Sequence, residues 1–365
     1  MNRRRLLIGG GSVAALGIGA VFAGAKQMGS AADYTDAVRA MRSALSQHPQ
    51  ARDLIRYATL APSGHNTQPW RFSVGAGRIT IRPDAARRTP VVDPDDHHLF
   101  VSLGCAAETL AIAAAARGFR GEPRFDASGG GAIDFAYRAA PPAGSALFDA
   151  IPRRQSTRNI YDGRAVAPDD LATLRSAATM PGVDMLLITR REQIDRVRDL
   201  VLAGNSVQRN DAAFMRELKA WLRFNPHQAL ATSDGMYSAV VDSPALPDWL
   251  GPYAFDALDT VSSENDSYAR QLQSSAGLAV FVGAGEDRAQ WVQVGRACQR
   301  FALQATALGL KCAFVNQPVE VAALRPELAA LLGMPGRRPD IVMRFGHGSN
   351  QPYSARRPVA SVMTA

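Results

Sequence analysis

The segment Ala61-Pro62-Ser63-Gly64-His65-Asn66-Thr67-Gln68-Pro69-Trp70 concentrates groups that could hold a ligand. Pro62 and Pro69 remove backbone donors and fix φ, so the segment cannot continue a helix or strand. Ser63, Asn66, Thr67 and Gln68 offer donors and acceptors, and Trp70 adds a flat apolar wall. That combination suits a planar ligand with polar edges, such as a flavin ring. The competing reading is a surface turn closed by an Asx-type bond.

A second chemical motif lies about ninety positions on, at Arg153-Arg154-Gln155-Ser156-Thr157-Arg158-Asn159-Ile160-Tyr161-Asp162-Gly163. Three arginines within six positions, with hydroxyls between them, form a receptor for a phosphate-bearing ligand. Guanidinium forks bind phosphate oxygens bidentately, and a cation beside a flavin's N1/O2 edge stabilises the reduced ring. A solvated basic loop pairing with Asp162 is the alternative. The tail adds Arg356-Arg357-Pro358 after Arg344-Phe345-Gly346, and its arginines could meet the same phosphate.

The elements that must position these motifs show an internal repeat. Gly104–Phe119 and Gly295–Leu310 are alanine-rich helical patterns with alanines coinciding at 106/297, 111/302, 114/305 and 116/307. Small residues at these offsets let helices approach closely, and glycines at 118 and 309 suit C-caps. Strands are predicted at Arg71–Val74 and Arg78–Arg82 across a Gly75-Ala76-Gly77 turn, and at Ile133–Arg138. In the second half they are Val183–Thr189, Leu278–Gly283 and Ile341–Phe345. Helices and strands without regular βαβ alternation indicate an α+β fold. Its two related halves, 31–145 and 146–365, would imitate a homodimer within one chain.

Composition narrows the partners. With 47% hydrophobic and 20% charged residues the chain is ordinary for a globular protein. The formal charge of +8 is spread along the chain, which favours a small anionic ligand over a nucleic-acid footprint. Cys105, Cys298 and Cys312 lack metal-type spacing and read as buried thiols. The six histidines form no paired-ligand spacing, and His97 and His98 would point apart on a helix, so no metal is expected. Residues 1–30 begin with Arg3-Arg4-Arg5, continue through an uncharged run from Leu6 to Ala25, and include Ala23-Gly24-Ala25. This is the anatomy of an export signal of twin-arginine type, implying the twin-arginine machinery and a periplasmic or envelope location. An uncleaved anchor is the alternative.

These motifs resemble the nitroreductase-type flavoproteins. Arg154-Gln155-Ser156-Thr157-Arg158 is similar to that family's RxSxR/K signature, and Pro62 to Trp70 to its PSxxNxQPW signature. Arg344-Phe345-Gly346 and Arg356-Arg357-Pro358 resemble its closing strand and tail. Ordinary members carry RxSxR first and complete each flavin site across a dimer. The reversed order here resembles the single-chain, dimer-mimicking branch called the Acg subfamily. The resemblance implies non-covalent FMN, with Arg154, Gln155, Ser156 and Arg158 on the phosphate, ribityl chain and N1/O2 edge. It places Pro62, Ser63, Gly64 and Asn66 against the ring from the opposite half, and Arg356 on the phosphate. Thr179-Met180-Pro181-Gly182-Val183, the matching loop of the second half, lacks Ser, Asn and Gln, so one FMN site is expected.

An insertion at about 221–260 is rich in proline and aromatics and reads as a lid over that site. Trp221, Phe224, Tyr237, Trp249 and Tyr253 are costly to leave in water, which argues for burial. The expected function is reduction of small electrophiles, nitroaromatic or quinone, by a monomeric FMN oxidoreductase with NAD(P)H or another donor. No residue need act covalently, because the chemistry sits on FMN. The alternative is a flavin-sequestering protein, and a hydrolase built on Ser63 and His65 lacks a G-x-S-x-G elbow.

Overall fold

The computed structural model describes residues 28–364. The Leu6–Ala25 run of the expected export signal therefore lies outside the described residues. The remainder is a mixed α+β fold. Helices α1 (Ala31–Met41) and α2 (Ala51–Ala58) lead into strands β1 (Trp70–Gly75) and β2 (Arg78–Pro83). The hairpin forms where expected, with Gly75 opposite Arg78 and Gly77 at φ +63°. A long helix α3 (His97–Ala116) follows, then β3 (Phe119–Asp126) and β4 (Ala132–Ala139). These strands make an antiparallel sheet of order β1-β2-β4-β3.

In the second half, short helices at Ala146–Ala150 and Pro168–Ala177 precede β5 (Val183–Ile188) and α4 (Arg191–Arg209). The insertion holds two short parallel strands, β6 (Leu222–Arg223) and β7 (Met236–Tyr237), and helix α5 (Gly251–Leu258). Next come α6 (Val261–Gln273), β8 (Gly277–Gly283), α7 (Arg288–Ala307), β9 (Lys311–Phe314) and β10 (Ile341–Gly346). Their sheet has the order β5-β8-β10-β9 and is antiparallel throughout. Counted within each half, both sheets run first-second-fourth-third, with the long helix between the second and third strands.

The long helices carry the core between them. Both start seven residues before the glycine that marks the repeat and are 20 residues long, so those glycines sit inside the helices rather than at their starts. Each opens a close approach. A Cβ on Gly104 would fall on the carbonyl oxygen of Val292, and one on Gly295 on that of Val101. Each glycine thus meets the residue three positions before the other, as in a two-fold contact. Polar groups on the seam are paired: Glu108 accepts from Arg296 and Arg300, both at 2.8 Å, and Gln299 donates to Thr109 at 2.9 Å. Gly118 (φ +82°) and Gly309 (φ +76°) end the helices as anticipated.

Four strands escaped the sequence pattern: β6 and β7, of two residues each, and two edge strands of the larger sheets. β3 reads Phe-Arg-Gly-Glu-Pro-Arg-Phe-Asp and alternates half-buried with exposed, and its proline is tolerated only on an edge. β9 has four residues. The central strands β8 and β10 are buried at every position, which made their apolar runs legible.

Candidate functional site

The loop between α2 and β1 is held in a costly conformation. His65, Asn66 and Gln68 all take positive φ, at 47°, 54° and 54°. Such backbone persists only where surrounding contacts over-determine it. Here the amides supply those contacts. Asn66 donates to the carbonyls of Gly235 (3.0 Å) and Ala355 (3.3 Å), and its oxygen accepts from Arg356 (2.9 Å). Gln68 donates to the Ser233 carbonyl (2.9 Å) and accepts from the Arg357 backbone (2.9 Å). These side chains tie the first half to the insertion and to the C-terminal tail.

The face of the loop left over lines a cavity of about 490 Å³. Pro62, Ser63, Gly64 and His65 form one wall, and Arg158, from the second half, faces the same space. The insertion covers it through Leu222, Phe224, Leu246, Ala254, Phe255 and Leu258 among others, while Phe314, Asn316 and Glu320 come from the segment after β9. The volume is typical of a small-molecule or cofactor site. The two chemical motifs, far apart in sequence, converge there.

The electrostatics are anion-seeking at one end. The Arg158 guanidinium makes no hydrogen bond or ion pair with any described residue, and burial lowers its pKa. It depresses His65 in turn: burial first, then Arg158, bring that imidazole down to about 4, so it is neutral at pH 7. His65 Nδ1 is buried without a partner. Ser63 accepts from the Gln68 amide at 3.0 Å, and no hydrogen bond joins it to His65.

Behind the wall stands a cluster the sequence only half revealed. Arg154 and Arg356 both donate to the Leu60 carbonyl, at 3.0 and 3.3 Å. Arg356 also reaches the carbonyls of Thr59 (2.7 Å) and Ala61 (3.1 Å). Arg42 joins them, donating to the carbonyls of Pro152 and Arg154 and stacking on Tyr353 at 4.1 Å. Burial and then the charge of Arg154 bring Arg42 down to about 9, and burial with Arg42 and Arg154 pushes Arg356 well down. Among the described residues, none of the three pairs with a carboxylate. Arg42 Nε is buried without a partner. No local pattern singled out Arg42, an isolated arginine just after α1.

The expected site residues therefore divide. Pro62, Ser63, Gly64 and Arg158 meet at the cavity. Arg154, Asn66 and Arg356 lie together one layer behind it. Gln155 holds the tail, donating to the Gln351 carbonyl at 2.9 Å and accepting from its backbone at 2.8 Å. Ser156 bridges to Cys312 beside β10. Asp93 and Glu320 line the cavity without having been singled out, beside His65 and His98, and Glu320 is pushed up to about 7 by burial. The insertion departs from expectation in one respect. Tyr237 is buried, but Trp249 and Tyr253 are 68% and 73% exposed. Short α5 turns one face to the cavity and leaves the other to water.

A family model described as "Nitroreductase family" matches residues 151–348. Two Mycobacterium tuberculosis proteins provisionally named as NAD(P)H nitroreductases are similar over nearly their whole length. One is 28% identical across 89% of this chain and 94% of its own. The other, named acg, is 26% identical across 85% of this chain and 94% of its own. Among solved structures, the FMN-dependent nitroreductase NfnB from Mycobacterium smegmatis, in complex with NADPH, is 12% identical with a TM-score of 0.37, covering 56% of this chain and 88% of that one. A nitroreductase with bound FMN from Desulfitobacterium hafniense is 16% identical with a TM-score of 0.37, covering 59% and 96%.

Proposed function

The chain belongs to the nitroreductase family, and from that premise we propose that it binds FMN in the lidded cavity and reduces small electrophiles of the nitroaromatic or quinone class. One observation carries this reading: Pro62-Ser63-Gly64 and Arg158, from opposite halves, face one cavity. The residues present fit the cofactor. A partnerless guanidinium faces the cavity, and three buried arginines without carboxylates stand behind it. Arg158 would meet the phosphate-bearing end at the cavity, with the positive charge of Arg154, Arg356 and Arg42 behind it and Gln155 and Ser156 beside them. Pro62, Ser63 and Gly64 would flank the ring, and Asn66 would fix their loop.

When bound, FMN supplies two-electron transfer between a donor and an acceptor. The chain's own part is to orient, to exclude water and to hold positive charge at the ring edge. Neutral His65 keeps a free nitrogen beside that edge, and the apolar face of the insertion admits flat, weakly polar acceptors. The relatives' names support NAD(P)H as donor.

The closed insertion favours a second reading, sequestration of FMN with little turnover. Adding NADPH with a nitroaromatic or a quinone to the FMN-loaded protein separates the two. Oxidation of NADPH dependent on the acceptor supports the reductase, and full FMN occupancy without turnover supports sequestration.

The same proposal extends to the chain's organisation. The shared strand order and reciprocal glycine contacts support two related halves packed like a dimer, with one FMN site per monomer. Residues 1–30 are proposed as a twin-arginine export signal, which would place the protein in the periplasm or envelope.

A further inference from the structure

The start of α3 and the turn before it gather three metal-capable side chains, two of them at the cavity wall. One ligand atom from each of Asp93, His97 and His98 lies within 4.8 Å of the other two. The two imidazoles were expected to diverge, yet their ring centroids are 4.6 Å apart. Adjacent Cβ atoms diverge around a helix, but rings two bonds farther out can swing back together in the first turn.

We propose that Asp93, His97 and His98 bind one divalent transition-metal ion of the zinc class, with its remaining position open to the cavity. Two imidazoles and a carboxylate are a donor set for Zn²⁺ sites that keep a fourth position free. The surroundings match such a site. His97 Nε2 is hydrogen-bonded to Asp340 Oδ1 at 2.8 Å, and Asp340 Oδ2 accepts from the Gly283 amide at 2.6 Å. A carboxylate held this way fixes the ring's orientation and leaves Nδ1 for an ion. Asp93 is also fixed, its two oxygens accepting from the amides of His98 and Leu99 at 2.9 Å each. Each oxygen keeps a second lone pair.

Helix capping explains Asp93, and packing against Trp291 explains His97. Neither explains His98. Its side chain is 13% exposed; Nε2 pairs weakly with Asn316 at 3.5 Å, while Asp93 Oδ1 stands off from Nδ1 at 3.9 Å. With Nδ1 unpartnered among the described residues and Asp93 Oδ1 3.9 Å away, there is room for an ion between them. Both Asp93 and His98 line the cavity, so the ion has a route in.

This inference does not depend on FMN, and its test does not read activity. The full chain, stripped with a chelator, is titrated with Zn²⁺ by calorimetry. One equivalent should bind with a Kd of about 1 μM or tighter. His98→Gln and Asp93→Asn should each weaken binding at least tenfold, and Asp340→Asn by about tenfold. Replacing the exposed His48 with alanine should change nothing. Circular dichroism identifies any variant that fails to fold, and the other two then decide. Binding no tighter than about 100 μM, or equal in wild type and His98→Gln, would overturn the assignment.

Discussion

The loops that enter the first strand of each sheet are placed alike and built differently. In the first half, Pro62 to Pro69 contains three non-glycine residues at positive φ, and its amides reach the insertion and the tail. In the second half, Met180-Pro181-Gly182 is a short turn closed by a Met180–Val183 bridge, with Gly182 at φ +75°. Gln290 of α7 donates to the Gly182 carbonyl at 2.6 Å and sits on it. The first loop is strained and cavity-facing, the second relaxed and covered. The helix seam is alike on both sides, whereas the cavity-facing loop occurs once. Two sheets of one strand order can therefore carry unlike loops, because packing constrains the seam and leaves the loops free.

The largest test breaks the symmetric part. A side chain at Gly104 or Gly295 meets backbone carbonyls that cannot move aside. Gly104→Val and Gly295→Val should each cost at least about 3 kcal/mol or abolish folding, measured by denaturant unfolding. By contrast Gly64, on the site loop, faces open space. Gly64→Ala should shift stability by less than about 0.5 kcal/mol. Equal effects at the three positions would erase the distinction between seam and site.

A second comparison separates the arginine behind the wall from the one at the cavity. Arg154→Ala removes a buried donor from the Leu60 carbonyl as well as positive charge. It should weaken FMN binding at least tenfold and cost about 1–3 kcal/mol of stability. Arg158 makes no such bond, so Arg158→Ala should weaken FMN binding about tenfold with the Tm nearly unchanged. Titration of each purified variant with FMN, beside a thermal melt, reads both.

The last test concerns His65 and reads pH. Its folded pKa of about 4 lies below the ordinary 6.5, so proton uptake favours the unfolded chain. The stability present above pH 6.5 should drain as the pH falls toward 4, by about 3 kcal/mol. Asn tolerates the left-handed backbone at this position. His65→Asn should therefore flatten the acid limb of a stability-versus-pH curve. An unaltered slope would mean that the imidazole is not the titrating group.

Much of this architecture was legible in the sequence. The matching long helices, the central strands and the two motifs that meet at the cavity each have a local signature: small-residue periodicity, apolar runs, or a cluster of polar, basic and proline residues. What was hidden depends on folding at a distance. Arg42 joins Arg154 and Arg356 only because α1, the arginine motif and the tail meet around the end of α2. Asn66 and Gln68 look ligand-facing by type, but the insertion and tail claim their amides. Edge strands β3 and β9 lack the apolar runs that betray a sheet's centre, and His97 and His98 come together only in a particular pair of rotamers.

The central claim is that the chain builds one FMN site from two unlike halves. Reconstituting the purified protein with FMN, removing the excess, and measuring flavin absorbance against protein concentration tests it most directly. One FMN per chain, with a smaller fraction retained in Arg158→Ala, is the predicted result. A colourless protein that cannot be loaded, or two flavins per chain, would contradict it.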